Sequence, residues 1–519
     1  MPAAHPTHPS PPLLGAHQVP ASRRPWSPSR TRSPRRRSFW LWTLVAVAFA
    51  VLLRAPWIGA PLGNDEGGLA YIAAHWHAGG PDLYGHYFID RPPLLLAAFR
   101  LADATGGADA VRVIGAVASA LLVVITALLG RELGGTRSGL IAGSIAAALG
   151  SSVLLGSVLT PAELLAVLPS AGSVLLLVVG MRAARREHLA LALAGCLAAC
   201  ALLVKQSFGD ALVAGAVFLV AGALLDDGNR RRWLGLAGAY CVGVAAVVLG
   251  LELWETLDRV PEGATSYALL GFRVQGLSAL AGSAGGLPGR LSDRLALPFV
   301  GSGLALIMVW SAFGVYKLKS NRVLQLAVAA WLGAGVAGVL LGGSYWSHYL
   351  IELIPGAAVT AGWALARSSR RLVLPTLATL AVLTVGGALV GSQTDAGASL
   401  ADQRPKEIGQ AIAQRAERDD TIYVRYSQPN ITYYSGLRNP YPYDWSLMLR
   451  TVPGAQAQLR NLLGSTQRPT WIVDWESDTS YGLDTNGRTQ HLLNRYYRPA
   501  GSVDGIQILL RRGQRRGAI

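Results

Sequence analysis

The chain reads as an α-helical polytopic membrane protein that ends in a small extracytoplasmic α/β domain. Three observations carry this reading. Of its 519 residues 51% are hydrophobic and only 15% charged, whereas a soluble chain has about a quarter charged. The apolar residues fall into runs close to the roughly 20 residues needed to cross the hydrocarbon, with short charged patches between them. Beyond residue 391 the pattern changes to short strand-like and helix-like pieces.

The first 38 residues are rich in Pro, Ser, Thr and Arg, with seven arginines and no acid. Such a segment cannot assemble a core and is expected to be disordered. No short apolar core with a small-residue cleavage site follows it, so the first hydrophobic run reads as a retained anchor. Eleven runs are long enough to span: 39–58, 111–129, 138–156, 163–181, 188–204, 208–225, 233–252, 295–316, 322–341, 349–366 and 372–391. Segment 92–104, PPLLLAAFRLADA, is too short, opens on two prolines and carries Arg100 and Asp103; it reads as a surface helix along the membrane.

Charge placement tests the count. With the Arg-rich tail inside, the inner loops RELGGTRSG, RAARREH, DDGNRRRW, KLKSNR and RSSRR are all basic, as the positive-inside bias requires. Making 92–104 a span would turn the later basic clusters outward. The net charge of +16 is therefore explained by loop placement, and no nucleic-acid partner is implied. The expected organisation is a basic cytoplasmic tail (1–38), a transmembrane domain (39–391) whose first outer loop is 59–110, and an extracytoplasmic domain (392–519). That domain shows helical RPKEIGQAIAQRAERDD, strands in TIYVRY, TWIVDW and GIQILLRR, and a helix over 485–497. Its basic RRGQRR end opposes the bias, which weakens beyond a long translocated domain. Cys196, Cys200 and Cys241 lie inside apolar runs and read as small apolar residues, with no disulfide framework.

The outer face collects the chemistry. Asp65 and Glu66 emerge there in GNDEGGLAY, beside Gly63, Gly67 and Gly68, which suit a backbone that approaches a ligand closely. Asp90 and Arg91 (YFIDRPPLLL), Glu163 (LTPAELL), Lys205 and Gln206 (LLVKQSFG), Arg273, and His348 and Tyr349 (SYWSHYLIEL) share that side. The plainer readings are a snorkelling Lys205, a helix first-turn acid at Glu163, and a solvated acidic loop at Asp65. Together, carboxylates and cations at a lipid surface suit a lipid-linked sugar phosphate. Lys205, Arg91 or Arg273 can neutralise the phosphate, and a carboxylate can take the proton of an incoming hydroxyl or amine. Tyr71, Trp76, Tyr84 and Tyr87 can stack on sugars, or more plainly anchor the loop at the headgroups.

The order of these pieces resembles the C-type glycosyltransferases, in particular the protein O-mannosyltransferase and lipid A aminoarabinose transferase superfamily: the acidic pair after the first span, YIAAHWHAGG, DRPPLLL, Arg112 opening the second span, LLVKQ, and the late HYLIELIP. The resemblance covers roughly 40–391, and TIYVRYSQPNITYYSGLRNP is similar to the outer domain of many bacterial members. It implies a plasma-membrane GT-C-like enzyme using a polyprenyl-phosphate sugar donor at the outer face, with an inverting mechanism. It also implies Asp65 as catalytic base, Glu66 supporting it, Lys205 on the donor phosphate, and Glu163 and His348 lining the same cavity. The family's usual Lys-Pro-Pro is Arg91-Pro92-Pro93 here, which keeps charge but changes geometry. The WWDYG-type sequence of oligosaccharyltransferases is absent, which argues against transfer of a whole oligosaccharide to asparagine. No cofactor is assigned. Some relatives hold a divalent metal, for which His75 and His77, with His86 nearby, are the residues to offer, but i,i+2 spacing puts the first two on different helix faces. The competing readings are a non-catalytic scaffold of a cell-envelope assembly system on the same fold, and a transporter, for which the span interiors show neither polar breaks nor a repeat.

Overall fold

The computed structural model describes residues 34–77, 82–182, 185–281, 286–318, 321–390, 402–477 and 479–519. Of the expected disordered tail (1–38), residues 1–33 lie outside them, as does the expected domain boundary at 391–392; residues 34–38 are not disordered but form the start of α1, continuous with the apolar run that follows. Nine helices fill the first half: α1 (Pro34–Arg54), α2 (Asn64–His75), α3 (Pro93–Thr105), α4 (Gly107–Gly134), α5 (Thr136–Leu149), α6 (Ala162–Gly180), α7 (Glu187–Val204), α8 (Asp210–Leu225) and α9 (Arg230–Leu257). Helices over Leu304–Lys317, Arg322–Leu341, Ile354–Ala366 and Arg370–Val390 complete the apolar set.

Every one of the eleven expected runs falls on a helix, but not every helix is a full crossing. Among the described residues eight helices are long and apolar enough to cross a membrane, nine if one bent pair counts as a single span. The bent pair is Pro288–Gly301 and Leu304–Lys317, which meet at 75°. Gly303 makes the corner with φ +81, a left-handed conformation that costs glycine little. Helices α5 and α8 have 14 and 16 residues; at 1.5 Å per residue they reach only about 21 and 24 Å. Gly150-Ser151-Ser152 ends α5, and the Asp226-Asp227-Gly228 stretch ends α8.

Burial sorts the helices by role. In Ile354–Ala366 every residue from Ile354 to Leu365 is buried, which makes it the central helix of the bundle. Its Gly and Ala content lets the neighbouring backbones come close. By contrast Val242, Leu249, Leu253 and Leu257 of α9 are exposed, the surface a lipid would cover. Helix α3 occupies the expected surface-helix segment, with Leu95, Leu96 and Phe99 turned inward and Leu94 and Leu101 outward.

The C-terminal part carries four strands: β1 (Ile422–Val424), β2 (Trp471–Asp474), β3 (Tyr497–Val503) and β4 (Ile506–Arg511). They form one sheet in the order β1-β2-β4-β3, with β1 and β2 parallel and the other pairs antiparallel. The expected strands match β1, β2 and β4, and the expected 485–497 helix is Arg488–Tyr496. Strand β3 was not anticipated, because Pro499 and Gly501 in RPAGSV read as a loop. The following Asp504-Gly505, with φ 48 and 78, is the Asp-Gly hairpin turn that marks it as a strand. Helices Pro429–Ser435, Ser446–Thr451 and Ala455–Gly464 were likewise unanticipated.

Candidate active site

The two adjacent acids that follow α1 do different things. Gly63 caps α2, which places Asp65 and Glu66 in its first turn, where the helix dipole favours negative charge. Glu66 is buried and fully engaged. Its Oε2 accepts the Gly63 N–H at 3.0 Å, satisfying a backbone donor at the start of α2. Its Oε1 accepts from Arg112 at 2.5 Å and from the Thr160 N–H at 2.6 Å. Arg112, 2% exposed, also donates to the carbonyl of Pro61 at 2.6 Å. Glu66 thus ties α2 to α4 and to the loop before α6, buried with at least one donor on each oxygen. Asp65, one residue earlier, is exposed. It lies within electrostatic reach of Arg91 and His348.

The remaining sequence-selected residues converge beside it. Asp90 is shared by two guanidiniums, Arg91 at 2.5 Å and Arg273 at 3.0 Å. Gln206 holds the backbone there by donating to the Asp90 carbonyl at 2.8 Å. Burial alone would raise the Asp90 carboxyl, but the charges of Arg273 and Arg91 overcome it and hold the group below the usual carboxylate range. Lys205, at the end of α7, pairs with Glu163 in the first turn of α6. His348 Nε2 lies 3.6 Å from the same Glu163 oxygen, and the Lys205 ammonium sits 4.1 Å from the centre of the Tyr349 ring. The positions in the chain explain the arrangement: each of these charges stands at a helix end or in a turn, where it reaches the interface without crossing the hydrocarbon. Glu352, four residues after His348 and 4% exposed, joins the cluster within electrostatic reach of Lys205. The signal for it in the sequence is a lone acid within the apolar stretch of HYLIELIP.

The glycines and aromatics of this loop correct the sequence reading. Gly67 and Gly68 admit the C-terminal domain rather than a ligand. A Cβ at Gly67 would lie 2.2 Å from that of Asn430, and one at Gly68 2.4 Å from the Trp445 ring. Asn430 also donates to the Leu62 carbonyl at 3.2 Å, Asn64 to Ser427 Oγ at 3.3 Å, and Trp445 Nε1 to Asp65 Oδ1 at 3.1 Å. Tyr71, Trp76, Tyr84 and Tyr87 are all buried. Tyr71 receives the Asn439 N–H at 2.7 Å, Tyr84 donates to the Arg91 carbonyl at 2.6 Å, and Trp76 donates to Asp258 at 2.8 Å. These rings are core and scaffold, offered neither to a sugar nor to headgroups. The histidines separate as well: His75 bonds the Tyr71 carbonyl at 2.8 Å, while His77 and His86 lie 3.3 and 3.2 Å from Asp82. Among the described residues no group of three or more His, Cys, Asp or Glu is arranged to hold a metal ion, so the residues present do not fit one.

Beside Trp445, Asp444 is buried with Oδ1 accepting from Asn439 at 2.7 Å and Oδ2 unpartnered among the described residues. Burial pushes its carboxyl up to about 7, against the smaller opposing pull of the Asn439 hydrogen bond. An acid raised in the fold keeps a proton that the unfolded chain has already released. Its contribution is therefore complete below about pH 4 and is lost as pH rises to about 7, by roughly 4 kcal/mol at 1.36 kcal/mol per unit. Asp444→Asn removes this dependence. The melting temperature of the variant is expected to exceed that of wild type by a gap that widens from pH 5 to pH 8, and a gap constant with pH would contradict the assignment.

Residues 90–253 match the family model described as dolichyl-phosphate-mannose-protein mannosyltransferase. The structure superposes on ArnT from Cupriavidus metallidurans bound to undecaprenyl phosphate with a TM-score of 0.63 and 16% identity, covering 92% of this chain and 98% of that one. The archaeal oligosaccharyltransferase AglB from Archaeoglobus fulgidus, in complex with an inhibitory peptide and a dolichol-phosphate, gives a TM-score of 0.57 and 13% identity over 90% of this chain and 73% of its own. No curated protein matches the chain in sequence.

Proposed function

We propose that this multi-pass membrane protein, whose fold is that of the C-type membrane glycosyltransferases, moves a single sugar from a polyprenyl-phosphate carrier to an acceptor outside the cytoplasm. The acceptor is a lipid, a cell-wall glycan or a protein hydroxyl. The observation that carries the proposal is the convergence of an exposed carboxylate, Asp65, with Arg91, Arg273, Lys205 and His348 at the ends of apolar helices. An anionic head with a long apolar tail fits that boundary.

In the proposed reaction the acceptor oxygen attacks the anomeric carbon while its proton passes to Asp65. The bond from that carbon to the phosphate oxygen breaks, and the polyprenyl phosphate leaves with the electron pair. Attack from the face opposite the phosphate inverts the anomeric centre, and one carboxylate suffices, unlike the pair that glycosidases use. Arg91 and Arg273 share a single acid, so guanidinium N–H groups remain for the phosphate oxygens. Lys205, held by Glu163 and the Tyr349 face, adds a fixed positive charge where negative charge grows on the leaving phosphate.

The test is transfer of label from a panel of polyprenyl-phosphate sugars in membranes that contain the protein. Wild type is expected to use one donor, which names the sugar. The double variant Lys205→Met/Glu163→Gln removes both buried charges together and leaves neither unpaired. It should fold, yet lose at least about a hundredfold in kcat/KM. No transfer from any donor by folded wild type would sink the proposal.

A further inference from the structure

We infer that Trp445 of the C-terminal domain is a positioning residue for the Asp65 carboxylate, so that the outer domain completes the site rather than merely covering it. The inference rests on the reading of Asp65 as the base. Trp445 stands immediately before the helix Ser446–Thr451, and its ring lies against Gly68, where a Cβ would come within 2.4 Å of Cζ2. That contact fixes where the indole N–H points, and it points at Asp65 Oδ1, 3.1 Å away.

An exposed aspartate on a helix first turn is free to rotate about two side-chain bonds, and a base that rotates spends little time aimed at its substrate. One fixed hydrogen bond removes that freedom. Among the described residues the indole is the hydrogen-bond partner of this carboxylate, so Oδ2 stays available to accept a proton. The donor type matters. An indole N–H donates and never accepts, so Trp445 orients the carboxylate without competing for the acceptor's proton, as a histidine would. The sequence gives no hint of the pairing, since 380 residues separate the two.

Trp445→Phe keeps the ring against Gly68 and removes only the donor. Its melting temperature is expected to match wild type, with the donor KM within about twofold and kcat lower by about tenfold to a hundredfold, the scale of a misplaced catalytic group. A purely structural Trp445 would leave kcat unchanged in this variant, and that result overturns the inference, as does a loss confined to KM. Should Trp445→Phe melt early, Gly68→Ala provides the second arm: its methyl displaces the indole, and the same fall in kcat is expected, whereas wild-type kcat overturns the inference. Wild type is assayed alongside. Transfer by wild type and equally by Trp445→Phe removes this inference alone, whereas no transfer by wild type removes the proposed function and this inference with it.

Discussion

Asp65→Asn is expected to leave the protein folded and to lower sugar transfer by about a hundredfold to ten-thousandfold. The substitution keeps the shape of the side chain and an oxygen to accept the Trp445 N–H, whose 3.1 Å contact is therefore preserved. It removes the capacity to take a proton. A general base contributes typically about a hundredfold to ten-thousandfold, and the neighbour Glu66 is a poor substitute, because it is buried and turned toward Gly63, Arg112 and Thr160. Asp65 is exposed, so its charge supports no buried partner whose loss would unfold the chain. Comparing kcat at saturating donor with the melting temperature separates the two effects. Wild-type turnover in this variant would exclude Asp65 as the base. Intact transfer with a lowered melting temperature would make it a structural residue.

Arg112→Met should do the reverse. It touches no reacting group, yet it strands Glu66 as a buried carboxylate, 4% exposed. Breaking one side of a buried ion pair costs about 3–5 kcal/mol, chiefly because the surviving charge has lost its compensation. The Gly63 and Thr160 N–H groups stay on Glu66 and soften the loss. Adding Glu66→Gln to Arg112→Met removes the stranded charge and should recover much of the stability. Heat stability in detergent, measured for the single and the double variant, checks this. A single variant as stable as wild type would mean that the pair contributes nothing. A double variant no better than the single would place the cost in the Arg112 bonds to the Pro61 and Ala60 carbonyls.

Much of this was legible in the sequence, for physical reasons. The bilayer demands long apolar helices, so the apolar runs located the eleven membrane helices, and only the three interrupted or shortened ones departed from full spans. The residues of the charged cluster were legible because charge in an apolar chain is costly and therefore conspicuous. The division of labour between Asp65 and Glu66 was not, since two adjacent acids look alike until Arg112 and the Thr160 N–H choose one of them. Gly67 and Gly68 announced a close approach, but no spacing rule says that the approaching group is Asn430 or Trp445. The aromatic residues of the first loop misled for a related reason: Tyr and Trp suit an interface, a sugar or a core equally well, and only packing decides among them.

The clamp on α2 also has a consequence for biosynthesis. Glu66 needs Arg112 and Thr160, which follow it by 46 and 94 residues, whereas Asn64 and Asp65 wait for Ser427 and Trp445, which arrive 363 and 380 residues later. A chain emerging from the ribosome can therefore seat α2 early, with Asp65 aligned only after nearly all of the protein has been made. On the proposed reading of Asp65 as the base, catalytic competence is the last property acquired, and a prematurely terminated chain inserted in the membrane would hold most of the charged cluster with Asp65 unaligned.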